Sequence, residues 1–88
     1  MREDDFEVYL RNTNLSENTI ASYKFAVKQY FGQFDTVTQK KLRDHKMWLI
    51  ESYKPKTVNL RIRAINCYLD SIGKGERKLK IVKVQHKA

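Results

Sequence analysis

KTVNLRIRAINCYLDSIG, Lys56 to Gly73, is the stretch on which the fold turns. Val58, Ile62, Ile65, Leu69 and Ile72 recur at spacings of four, three, four and three. That is the stripe of a helix laid against a core. Pro55 stands just before it, where a fixed φ suits a first helical turn, and Gly73 stands just after it, where a helix commonly stops. One amphipathic helix needs partners.

Upstream, LSENTIASYKFAVKQYFGQF, Leu15 to Phe34, supplies one: Ile20, Tyr23, Val27, Tyr30, Phe31 and Phe34 keep a helical period over four turns. Ser16 is suited to cap its start, with Glu17 in the first turn where the helix dipole favours an acid. A shorter helix from about Glu3 to Asn12 places Phe6, Tyr9 and Leu10 on one side, and the polar run Asn12-Thr13-Asn14 ends it. Between the two long helices, Thr38 can cap a third whose inward residues are Leu42, Trp48, Leu49 and Tyr53, with Lys40, Lys41, Arg43 and Lys46 outside. The expectation is a small all-α bundle of four helices over residues 1–72. Residues 73–88 then read as a tail: Leu79, Ile81 and Val84 alternate with lysines, as in a short strand or an extended linker. With few apolar contacts foreseen beyond Ile72, residues 74–88 are expected to be mobile.

Composition narrows the function. A chain of 88 residues supports a single domain that buries roughly 60 to 65% of its surface, too little for a large pocket. The formal charge is +8, and it is unevenly placed: residues 1–17 carry five acids and two bases, whereas residues 18–88 carry sixteen bases and five acids. Such a body suits a polyanion. The single Cys67 excludes an internal disulfide, and with only His45 and His86 beside it there is no zinc-ligand spacing, so no cofactor or metal is expected. No phosphate loop, HExxH or CxxC motif, or nucleophile–base pairing is present, and the EDDFE cluster reads as a solvated helix start, so no enzymatic activity is expected of this chain. No apolar run is long enough to span a membrane and the acidic MREDDFEV start is unlike a signal peptide, which together suggest a cytoplasmic protein.

At 100° per residue, Lys56, Asn59, Arg63 and Asn66 fall along one flank of the last helix, and Lys24 and Lys28 with Ala21 along one flank of the second. Asn and Arg can bond base edges as well as phosphates. The same placement equally suits lysine stems covering the edge of a core. Tyr23 and Tyr30 read as core rather than as stacking platforms.

LSENTIASYKFAVKQYFGQF and TVNLRIRAINCYLDSIG together resemble the first and last helices of the N-terminal core-binding (SAM-like) domain of phage-integrase-type tyrosine recombinases, in the same order and with a fitting separation. The resemblance covers about residues 5 to 85. It implies a helical bundle that grips one face of a recombination half-site in double-stranded DNA. A separate C-terminal catalytic domain of the parent chain would grip the other and carry the strand-exchange chemistry, with the KLKIVKVQHKA tail as the connection. By position it places Ser16 and Thr19 near phosphates, Lys24 and Lys28 along the groove, and Thr57, Asn59, Arg61 and Arg63 on DNA, although helical geometry sets Arg61 on the flank opposite Arg63. The family's catalytic Arg, His-x-x-Arg and Tyr have no counterpart here, so no tyrosine of this chain is read as a nucleophile. Two other readings suit the residues: a free-standing helix-turn-helix regulator, which would usually dimerise, and a helical protein-interaction module whose basic face meets an acidic partner. The isolated domain is expected to be a monomer.

Overall fold

The computed structural model describes residues 3–82, and within them the chain forms four α-helices and one short 3-10 turn. These are α1 (Glu3–Arg11), α2 (Glu17–Gln33), α3 (Gln39–Ser52), α4 (Pro55–Ser71) and η1 (Gly75–Arg77). The expected all-α bundle is what the chain forms, and among the described residues there is no strand.

Local chemistry sets the helix ends. Ser16 Oγ accepts the Thr19 amide at 3.2 Å and Thr38 Oγ1 accepts the Lys41 amide at 3.2 Å, each satisfying a donor left over at a helix start. Asn14, at φ 59°, turns the chain out of α1. At the end of α4 the Lys74 amide bonds Leu69 O at 2.8 Å and the Gly73 amide bonds Asp70 O at 3.2 Å, a paired closure that needs the left-handed backbone Gly73 adopts at φ 76°. Among the described residues no helix is long and apolar enough to cross a membrane.

α4 is the hub, packing against α1, α2, α3 and η1. On one side Val58, Ile62, Ile65 and Leu69 join Tyr30, Leu42 and Leu49. On the other, α1 brings Phe6 and Leu10 to Ile20 and Val27 of α2, with Phe6 and Phe31 both edge-on to Tyr68. Ala26 and Ala64 are fully buried, small side chains that let helices approach closely.

Three expectations change. Ile72 leaves the stripe: it caps α4 rather than continuing it and is 40% exposed. His45 completes the inward row of α3 at spacings of three and four between Leu42 and Leu49. It stacks on Trp48 and meets Tyr30 edge-on, with Nδ1 3.0 Å from Gln33 Oε1. Burial first, and the nearby Arg61 charge second, push its pKa down to about 4.

The third change concerns the tail, whose described part belongs to the body. Leu79 is 7% exposed in the main core and Val82 packs against the same cluster, so the domain does not end at residue 72. Ile81, expected on the same face as Leu79, is 52% exposed. Inward positions are therefore three apart, Leu79 and Val82, and not two apart as in a strand. Val84 lies outside the described residues.

Candidate nucleic-acid interface

The residues singled out from sequence separate into three groups once folded. The first group lines two depressions. Lys56, Thr57, Asn59, Leu60 and Arg63 line one shallow depression on α4, and Ala21, Lys24, Phe25 and Lys28 line another on α2. No acid lines either depression, and the stretch from Lys54 to Leu69 carries four bases and no acid. Lys28, Lys56 and Arg63 are exposed, and none makes an ion pair among the described residues. Phe25 and Leu60, 53% and 45% exposed, set apolar surface between the charges.

The second group is engaged within the fold. Lys24 forms an ion pair with Glu7 of α1, a carboxyl held below its usual range by Lys24 first and Arg11 second. Arg61 lies in the seam between α2 and α4, opposite Arg63 as helical geometry requires. Its guanidinium carbon sits 4.5 Å above the Phe25 ring centroid and 5.6 Å from that of Tyr53, while its Nε is buried and has no hydrogen-bond partner among the described residues. Arg61 therefore packs on the aromatic rings of Phe25 and Tyr53 instead of standing in the basic row. Ser16 and Thr19 bond each other, Oγ to Oγ1 at 2.9 Å, and close the start of α2.

The third group overturns a base-reading role. Asn59 Nδ2 donates to Val82 O at 2.9 Å while its Oδ1 accepts the Val82 amide at 2.7 Å. Asn66 does the same for Leu79, at 2.9 and 2.8 Å. Both amides grip the tail's main chain, so neither presents its hydrogen-bonding edge to a base. Sequence reading missed this because a flank carries no mark of which partner will cover it. Arg77 adds a further tie, its Nη1 donating to Val37 O at 2.8 Å and pinning η1 to the α2–α3 connection.

Among the described residues no group of three or more His, Cys, Asp or Glu side chains could hold a metal ion. Fold and site together define a small all-α domain with two basic depressions, one on α4 and one on α2, whose linings hold no acid. No family model, curated protein or solved structure matches the chain.

Proposed function

We propose that this chain is a double-stranded DNA-binding module of the kind that clamps a recombination half-site in phage-integrase-type tyrosine recombinases, with catalysis left to a separate domain of the parent protein. The observation that carries the reading is the pair of depressions on α4 and α2 whose linings hold no acid, where Lys56, Arg63 and Lys28 stand exposed and without ion pairs among the described residues. Phosphates attract such groups through counterion release, which sets register and supplies much of the affinity. Arg63, at the middle of α4, is the residue that can reach a base edge with a two-pronged donor. Lys24 is a conditional contact, reaching phosphate by exchanging Glu7 for it. This reading also takes the domain to be cytoplasmic and monomeric off DNA.

The test is a titration of the isotope-labelled domain with a short DNA duplex at two salt concentrations, following backbone amides. Shifts at α4 and the exposed face of α2, weakening steeply with salt, are expected. Arg63→Glu should weaken binding about tenfold or more at unchanged helical content. Binding unaffected by Arg63→Glu, or no shifts at low salt, would count against DNA and favour an acidic protein partner on the same face.

A further inference from the structure

The tail is held in a way that its core packing does not require. Asn59 and Asn66 are seven residues apart on α4, an axial distance of about 10.5 Å at 1.5 Å per residue. Leu79 and Val82, which they grip, are three residues apart, about 10 Å of extended chain. The two rulers agree, so both clamps close at once. Each asparagine binds one N–H and one C=O, which fixes the course of the main chain whatever side chains stand between the clamped residues.

What stands between them is Lys80 and Ile81, both exposed, because Leu79 and Val82 turn inward. Around α4 the asparagine row lies about 40° to 80° from Lys56 and Arg63, at 100° per residue. The strap therefore runs beside the basic row, on the side away from the α2–α4 seam. Lys78, just before the first clamp, is held by Asp70 at 2.8 Å, whereas Lys80 has no ion pair among the described residues.

We infer that Lys80 contacts phosphate as part of the DNA face, and that Asn59 and Asn66 are positioning residues that hold it there by clamping the main chain on either side. The strap is then the third basic element of the interface, after α4 and α2. This rests on the DNA-binding reading but reverses the part the asparagines play in it: they orient a cation and do not read bases.

The experiment measures affinity for a short mixed-sequence duplex over a series of salt concentrations. Lys80→Ala, a surface change, should weaken low-salt binding about three- to tenfold and lower the salt slope by about one, with the melting temperature unchanged; Lys80→Arg should restore both. Asn66→Ala should produce the same loss, and adding Lys80→Ala to it should cost nothing more; Asn59→Ala repeats the test at the second clamp if the first variant folds poorly. An unchanged slope in Lys80→Ala, with Arg63→Glu still weakening binding, overturns this inference and leaves the DNA reading standing. Equal losses for Lys80→Ala in the presence and absence of Asn66 overturn the positioning role. Absence of any duplex binding at low salt overturns both readings together.

Discussion

α4 carries two polar rows with the same seven-residue step: Lys56 and Arg63 in one, Asn59 and Asn66 in the other. They lie side by side on one flank, and by pattern alone they belong to a single surface. The fold gives them opposite fates. The asparagines are closed against the strap by four hydrogen bonds of 2.7 to 2.9 Å, while Lys56 and Arg63 stay exposed. A neutral amide can satisfy a peptide group in full, whereas a cation buried there would lose its water without gaining a counter-charge. Chemistry, not position, decides which row faces inward.

The strongest way to break this comparison is to remove what the asparagines hold. Leu79→Ala should cost about 2–4 kcal/mol of stability in urea unfolding, and Ile81→Ala less than about 0.5 kcal/mol. Equal, negligible effects would show that the tail is detached in solution.

Protonation probes the other side of α4, where His45 is packed among aromatic rings. With its pKa lowered to about 4, the folded state resists a proton that the unfolded chain accepts below about 6.5. Stability is therefore fully present above pH 6.5 and declines on the order of 2–3 kcal/mol as pH falls to 4. His45→Gln should flatten that slope in a pH series of melting curves.

The two rows can then be compared directly. Asn66→Ala leaves the amide and carbonyl of Leu79 without their partner and should cost about 1–2 kcal/mol, against a change within about 0.5 kcal/mol for Arg63→Ala. Similar values for both would erase the distinction between them.

The smallest effect is expected at Glu7, whose ion pair with Lys24 is partly exposed. Its carboxyl should titrate below the usual range and move upward in Lys24→Ala, followed by carboxyl carbon shifts. The stability it contributes is present above the unfolded carboxylate pKa and fades as pH falls through the folded one, and added salt shrinks it.

Much of the bundle was legible in the chain, because helix periods, Ser16, Thr38, Pro55 and Gly73 act within a few residues of themselves. His45 also lay in the right register for the core, at the step Leu42–His45–Leu49, but its polar ring masked the signal. The candidate site was legible only in part. Lys28, Lys56 and Arg63 stand exposed as drawn from the wheel, while Lys24, Arg61, Ser16 and Thr19 found partners inside the fold.

By itself, then, the sequence determined the four helices, their caps and the basic surplus of the body, since local hydrogen bonding, hydrophobic period and charge are written residue by residue. Only the tertiary structure decided that the tail folds back along α4, that Asn59 and Asn66 receive it, and that Arg61 stacks on Phe25. Those outcomes depend on distances between residues 13 to 36 positions apart in the chain, and such distances exist only after the helices have packed.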